Sequence, residues 1–129
     1  MSTVPQLPEP LLTYALYEPL VAAHSTSSLT PSLLQSSVTA LPAPHQWVLL
    51  RLLALLSSVV EEASANRMSA PNLGIVFGPG LLRAPPHRTA EQQMADAEHV
   101  SGVVTQLIVH AELLKPALAA IGDWPEARK

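Results

Sequence analysis

One stretch near the middle of the chain, residues 66–83, contains a helix start, a short apolar segment and a strong helix stop. Ser69 is a suitable N-cap, and Pro71 falls in the first turn, where its missing N–H costs no hydrogen bond. Residues 78–80 read Gly-Pro-Gly and predict that the helix ends there, because proline cannot continue the hydrogen-bond ladder and glycine accepts left-handed dihedrals. The apolar residues predicted to share one face of this helix are Leu73, Val76 and Phe77.

Helical patterns cover most of the remaining chain, and no period-2 alternation of useful length is present. The predicted fold class is therefore all-α. Helices are expected within residues 11–23, from Thr30 to about residue 41, over 46–64, and over 91–114. The segment 46–64 is predicted to be the central and most buried helix, because apolar residues cover most of its circumference.

Three features near these helices carry specific expectations. Pro19 lies inside the first helix and predicts a kink or a split into two short helices. Tyr14 and Tyr17 are predicted to be half-buried, with their hydroxyl groups at the surface, because tyrosine combines an apolar ring with a polar tip. Residues 84–89 are predicted to form a mobile connector by their composition.

The composition limits the classes of partner that this chain can have. Only 13% of the residues are charged, against about 25% in typical proteins. This low fraction indicates an apolar face that would be covered by a partner or by a further segment. The net charge of −3 argues against nucleic acid and against an anionic membrane surface, because both require clustered basic residues.

The sequence contains no cysteine, which excludes disulfides, thiolate metal sites and cysteine nucleophiles. This composition fits a reducing compartment, and we expect a cytoplasmic, soluble protein. The longest apolar run, residues 47–60, is interrupted by Arg51 and by two serines. It is shorter than the roughly 18–20 residues of a membrane-spanning helix, so no membrane span is predicted.

No self-contained active site is recognisable in the sequence. Glu61 and Glu62 are adjacent on a helix, so they point in different directions and cannot act on one substrate. The five histidines show no metal-ligand spacing on one element. We therefore expect no metal, no cofactor and no catalytic residue.

The central stretch also resembles the signature of the Rho-family GTPase-activating (RhoGAP) domain. The matching pattern runs from Asn66 to Leu82 and reads Asn-Arg-Met-x-x-x-Asn-Leu-x-x-Val-Phe-Gly-Pro-x-Leu-Leu. Arg67 stands where the family usually has lysine. A second family block, Leu-Pro-Glu-Pro-Leu-Leu, lies upstream at residues 7–12, and residues 103–114 resemble the last core helix of the family. Two blocks in register are a more specific signal than either block alone.

The resemblance implies a RhoGAP-like helical bundle that is truncated at its N-terminus. The family's arginine finger lies in a Gly-x-Phe-Arg-x-Ser-Gly-like loop, and no such loop is present. A later family arginine position, just before the second block, is occupied by Pro5. We expect a partial RhoGAP domain over residues 7–118, equivalent to the C-terminal two-thirds of the family domain. Residues 1–6 and 119–129 are expected to be loose termini.

The resemblance also implies a partner and a binding site. The partner would be a Rho-family small GTPase of the Rho, Rac or Cdc42 type. The asparagine that Asn72 matches lies in the GTPase groove of the family, Arg67 matches a basic residue nearby, and Pro79 belongs to the turn that helps to form the groove. From the local sequence alone, a structural role of Asn72 is favoured, either as a second helix cap or through a hydrogen bond to a nearby loop.

Two other classes of function stay open from the sequence. One is a non-catalytic adaptor that binds a GTPase or another helical partner. The other is a structural all-α domain that associates with itself, because uncovered apolar faces mark interfaces.

Overall fold

The computed structural model describes residues 10–120, which form seven helices and no strand. The helices are α1 (Thr13–Ser25), α2 (Pro31–Thr39), α3 (Ala43–Glu61), α4 (Ala63–Asn66), α5 (Ala70–Leu81), α6 (Ala90–Val109) and α7 (Ala111–Ala119). The predicted all-α helical bundle is confirmed. The expectations for residues 1–6 and for the tail after residue 120 lie outside the described residues, as do the first three residues of the Leu-Pro-Glu-Pro block.

Three helices begin with a side-chain cap, because the first turn leaves backbone N–H groups without partners inside the helix. The Thr30 hydroxyl accepts the N–H of Leu33 at 3.1 Å at the start of α2, and Ser69 caps α5. Both caps were predicted. The third, at α6, is a reciprocal pair in which Thr89 Oγ1 accepts the N–H of Gln92 at 3.1 Å and Gln92 Oε1 accepts the N–H of Thr89 at 2.8 Å.

Helix α1 passes through Pro19 as one helix, so of the two predicted outcomes, a kink or a split, the split is wrong. Proline removes one hydrogen bond and crowds the carbonyl four residues earlier. Pro19 lies on the exposed side of α1, where water can satisfy that carbonyl. The opposite face holds α1 to the core through residues that include Leu20 and Val21.

Helix α3 is not the central helix that the sequence predicted. One face is buried, through residues His45, Gln46, Leu49, Leu53 and Leu56. On the other side Leu55 is 60% exposed and Val48 is 38% exposed. The prediction failed because α3 packs mainly on α7 and α6 along one face, and the described helices leave its other apolar face uncovered. It also begins earlier than predicted, at Ala43.

By length and composition alone, α3 is apolar enough to cross a membrane. One such helix is weak evidence, because core helices of soluble proteins pass the same test. The absence of a membrane span therefore stays a prediction.

The core consists of two adjoining clusters of buried side chains. The larger one joins α1, α2, α3, α6 and α7, and the smaller one joins α3, α5 and α6. Leu52 and Leu81 pack against both clusters and connect them. Burial of such side chains is the main stabilising contribution, at about 1.5–3 kcal/mol for each.

Helix α5 differs from its prediction in two ways. It continues through Pro79 to Leu81 instead of ending at residues 78–80, and the N–H of Leu82 closes the last turn on the Gly78 carbonyl at 2.9 Å. Pro79 is exposed, so its ring does not disturb the packing. Val76 does not share the buried face of Leu73 but is 63% exposed.

Candidate functional site

The orientation of α5 is set by its close packing on α6. A β-carbon added at Gly74 would overlap Thr105 Oγ1 and would lie 2.6 Å from the Ser101 carbonyl oxygen. One turn later, a β-carbon at Gly78 would lie 3.3 Å from Val100 Cγ1. The two glycines therefore face α6, and this contact turns the opposite side of α5 toward solvent.

That solvent-facing side is a continuous strip, which we call the α5 ridge. Its members are spaced at i, i+3, i+4 and i+7, and they are Asn72, Ile75, Val76 and Pro79. Ile75 and Val76 are each 63% exposed. These two adjacent aliphatic side chains make the ridge a candidate contact surface.

A groove of about 400 Å³ runs beside the ridge, between α5 and α6. Ile75 and Pro79 line it from α5, and Arg83 lines it from just beyond the end of that helix. Gln93 and Ala97 form part of the opposite wall on α6. The groove is thus mostly apolar, with an arginine and an amide available for polar contacts.

Asn72 and Arg67 are brought together at the start of the ridge. Asn72 Nδ2 donates to the Arg67 carbonyl oxygen at 3.2 Å, which confirms the interpretation of a hydrogen bond to a nearby loop. Arg67 ends α4 in the left-handed conformation, with φ of 63°. Both residues are exposed, so the local hydrogen bond and a contact with a partner are compatible.

The far end of the groove is fixed by Arg83. Its Nη2 donates to the Tyr14 hydroxyl at 3.3 Å, and its guanidinium carbon lies 5.9 Å from the centre of that ring. This contact connects the end of α5 to α1. The half-buried position predicted for Tyr14 is confirmed.

Tyr17 does not have the surface hydroxyl that was predicted. Its side chain is 2% exposed, and its hydroxyl donates to Asp96 Oδ2 at 2.8 Å. Arg88 Nη2 donates to the same carboxylate oxygen at 2.6 Å. Burial and the hydrogen bond to Asp96 raise the pKa of Tyr17 to about 12.

This network anchors the connector that composition predicted to be mobile. Arg88 reaches Asp96 on α6, and His87 Nε2 lies 3.0 Å from Glu18 Oε2 on α1. Asp96 was missed in the sequence, although a signal was present. It lies four residues before Val100, in line with the apolar stripe of α6, so it falls on the buried face.

Two histidines meet at the contact of α1 with α6. His24 Nδ1 and His99 Nδ1 are 2.9 Å apart, and the rings pack edge to face. Burial, with a smaller contribution from His99, lowers the pKa of His24. Within residues 10–120, no group of three or more histidine, aspartate or glutamate side chains is arranged to hold a metal ion.

The residues that the structure describes form an all-α bundle in which α5 exposes the ridge. Comparison with known families identifies the class of protein, because the RhoGAP domain family matches residues 4–86, well over half of the chain. The chain therefore belongs to the RhoGAP family.

Individual relatives agree with this assignment. The chain is 37% identical to human Bargin over 118 residues, and this alignment covers 86% of the chain and 17% of Bargin. It is 36% identical over 108 residues to the Rho GTPase-activating protein gacN of Dictyostelium discoideum, covering 82% of the chain and 18% of the relative. The chain thus spans less than a fifth of the length of these curated relatives.

A solved structure shares the fold. The BH domain from GRAF, the GTPase regulator associated with focal adhesion kinase, aligns with a TM-score of 0.72 at 30% sequence identity. The alignment covers 86% of this chain and 59% of the GRAF chain.

Proposed function

We propose that this chain binds a Rho-family small GTPase, of the Rho, Rac or Cdc42 type, through the α5 ridge and the adjoining groove. The observation that carries the proposal is the position of the family signature. Its buried residues pack α5 on α6, and its remaining residues place Asn72, Ile75, Val76 and Pro79 on one exposed strip.

The polar groups around the ridge support a protein partner. Arg67 and Asn72 lie at the start of the ridge, and Arg83 lies at its end. An apolar centre with polar groups at its margin is the usual arrangement of a protein interface. In this proposal Ile75 and Val76 supply the desolvated contact, and Asn72, Arg67 and Pro79 set the position of the partner.

We expect the 129-residue chain to accelerate GTP hydrolysis only slightly. An arginine placed against the transferred phosphoryl group increases the rate of GTP hydrolysis by about 10³–10⁵. This corresponds to an activation barrier that is lower by roughly 4–7 kcal/mol. Arg83 and Arg88 are held by Tyr14 and Asp96, and Arg51 lies on α3 and not on the ridge helix. The resemblance assigns none of these arginines to the finger position.

The experiment is a paired measurement of binding and hydrolysis with purified Rho, Rac and Cdc42 type GTPases. Binding is measured to each GTPase loaded with GDP and aluminium fluoride, which mimics the transition state. Hydrolysis is measured in single turnover with GTP. We expect the wild-type chain to bind at least one GTPase. Val76→Glu should abolish this binding, and Leu55→Glu, on the surface of α3, should leave it unchanged. Binding that survives Val76→Glu would contradict the proposed site.

A second candidate is a non-catalytic adaptor that uses the same ridge for another helical partner. The exposed aliphatic pair Ile75 and Val76 favours it, because an amphipathic helix can lie in an apolar groove. The two candidates differ in their dependence on Asn72. Loss of GTPase binding in Asn72→Ala supports the first candidate, and absence of GTPase binding by the wild-type chain supports the second.

The proposal also includes a cytoplasmic location, since a cysteine-free chain fits a reducing compartment. Fluorescence microscopy of the tagged chain tests it, and accumulation in the secretory pathway would contradict it.

A further inference from the structure

Two arginines lie at the two ends of the α5 ridge, and both are exposed. Arg67 ends α4 just before the ridge, and Arg83 follows the end of α5. Among residues 10–120, the salt bridges of arginine and lysine side chains involve Arg88 and Lys115 instead. Neither end of the ridge is therefore neutralised by a carboxylate of the described chain.

The groove beside the ridge has the same charge as its ends. Arg83 lines the groove, and its described lining contains no acidic side chain. Two carboxylates on the neighbouring helices already contact another cation, since Asp96 on α6 accepts from Arg88 at 2.6 Å and Glu18 on α1 lies 3.7 Å from it. The charges at the ridge are thus positive, although the net charge of the whole chain is −3.

The guanidinium of Arg83 is already oriented before any partner arrives. Its Nη2 donates to the Tyr14 hydroxyl at 3.3 Å, and its central carbon lies 5.9 Å from the centre of the Tyr14 ring. The planar fork of an arginine has further N–H donors, and their geometry matches the two oxygens of a carboxylate. A side chain that is held in position loses less conformational entropy when it binds.

We propose that the partner surface that covers the α5 ridge carries carboxylates at both ends of an apolar patch, one beside Arg67 and one beside Arg83. The apolar patch covers Ile75 and Val76. This inference rests on the proposed function, because it names the chemistry that the GTPase presents to the ridge. A GTPase that lacks these carboxylates binds more weakly, so the two arginines contribute to the choice of partner.

The two contacts act independently. Helix α5 has 12 residues and is therefore about 18 Å long. This length exceeds the Debye length of about 8 Å at physiological ionic strength, so each arginine is screened from the carboxylate at the other end. The losses caused by changing both arginines should multiply.

The test is the association kinetics of the full chain with Rho, Rac and Cdc42 type GTPases loaded with GDP and aluminium fluoride. In low salt, Arg67→Glu and Arg83→Glu should each lower the association rate constant about three- to tenfold, with a smaller effect on dissociation. In about 1 M salt, where the Debye length is about 3 Å, these differences should disappear. Arg83→Gln keeps a side-chain donor for Tyr14 without the charge and should give an intermediate loss.

The matched control is Arg51→Glu, because Arg51 is an exposed arginine on α3 and the reversal changes the net charge by the same amount. It should leave the association rate constant nearly unchanged. Equal slowing by Arg51→Glu would overturn the inference, since only the net charge would then matter. Faster association of the Arg67 and Arg83 reversals would overturn it too, because the partner surface would then be basic.

The same measurements separate this inference from the proposed function. Binding that Val76→Glu abolishes but that both arginine reversals leave unchanged would overturn the inference alone. Absence of wild-type binding to all three GTPases would contradict the proposed function, and the inference would fall with it.

Discussion

Asn72 Nδ2 donates to the carbonyl oxygen of Arg67 at 3.2 Å, so two of the proposed partner-binding residues hold one another in place. Arg67 needs this support, because a non-glycine residue with φ of 63° is in an uncommon conformation. The bond fixes the turn between α4 and α5 at the start of the ridge. It therefore links the local structure of the signature to the surface that we propose binds the GTPase.

Replacing Asn72 with alanine should loosen this turn and weaken partner binding. The expected loss of folding stability is about 0.5–1.5 kcal/mol, the usual net contribution of one hydrogen bond. The matched control is Ser69→Ala, which removes the cap of α5 at a cost of about 1 kcal/mol. If Ser69→Ala weakened GTPase binding as much as Asn72→Ala, the effect of Asn72 would be one of stability alone. Urea unfolding and a binding titration measure the two quantities.

Replacing Gly74 with alanine should destabilise the fold. The new β-carbon would overlap Thr105 Oγ1 and lie 2.6 Å from the Ser101 carbonyl oxygen, so α5 would have to move away from α6. Overpacking of this kind costs about 1–3 kcal/mol. Gly80→Ala, in the same helix, meets no atom within 4 Å and should be neutral or slightly stabilising. Equal urea midpoints for the two variants would contradict this packing.

The His24–His99 contact should make the fold sensitive to mild acid. The pKa of His24 is lowered in the folded chain, so the unfolded chain binds more protons between that lowered value and the usual value of about 6.5. The His24–His99 contact therefore contributes to the free energy of unfolding above pH 6.5. This contribution is lost as the pH falls through the pKa of His24 in the folded chain. Glu98, on α6, opposes the shift without reversing it.

The measurement for the histidine pair is urea unfolding at several pH values between 5 and 8. His24→Gln should flatten the dependence of the free energy of unfolding on pH within this window. His110→Gln is the control, because His110 lies just beyond the end of α6 and its Nε2 is 3.1 Å from Gln106 Oε1. An unchanged slope in His24→Gln would show that the pair does not titrate as described.

The Tyr17–Asp96 hydrogen bond should be lost at alkaline pH. The folded pKa of Tyr17 is about 12 and lies above its ordinary value of 10, so neutral Tyr17 stabilises the fold below pH 10 and this contribution disappears as pH rises toward 12. Ultraviolet titration of tyrosinate should show one tyrosine that ionises late. Tyr17→Phe should remove that late step and cost about 1.5–3 kcal/mol, the usual contribution of a hydrogen bond to a charged group. A titration unchanged by Tyr17→Phe would contradict the assignment.

Local sequence signals predicted the starts of α2 and α5 correctly, because a cap depends on residues within one turn. Ser69 and Thr30 are examples. The family signature likewise identified the RhoGAP fold and placed Asn72 at the start of α5, whereas it predicted Pro79 in a turn after the helix. These features require no knowledge of how distant helices pack.

The wrong predictions concern features that depend on how distant helices pack together. The composition of α3 predicted a central helix, yet Leu55 is 60% exposed, because burial depends on which neighbours surround a helix and not on its own sequence. Tyr17 was expected to reach the surface, but Asp96, 79 residues away, pairs with its hydroxyl in the core. The continuation of α5 through Pro79 depends on the exposed position of that ring.

The most direct test of the proposed function is single-turnover GTP hydrolysis by Rho, Rac and Cdc42 type GTPases, together with binding to their aluminium fluoride complexes. The account predicts binding to at least one of them that Val76→Glu abolishes, with an acceleration of hydrolysis below about tenfold. An acceleration near the 10³–10⁵ that an arginine finger supplies would contradict it, because an arginine of this chain would then enter the active site of the GTPase. Absence of binding to all three would contradict the α5 ridge as a GTPase site.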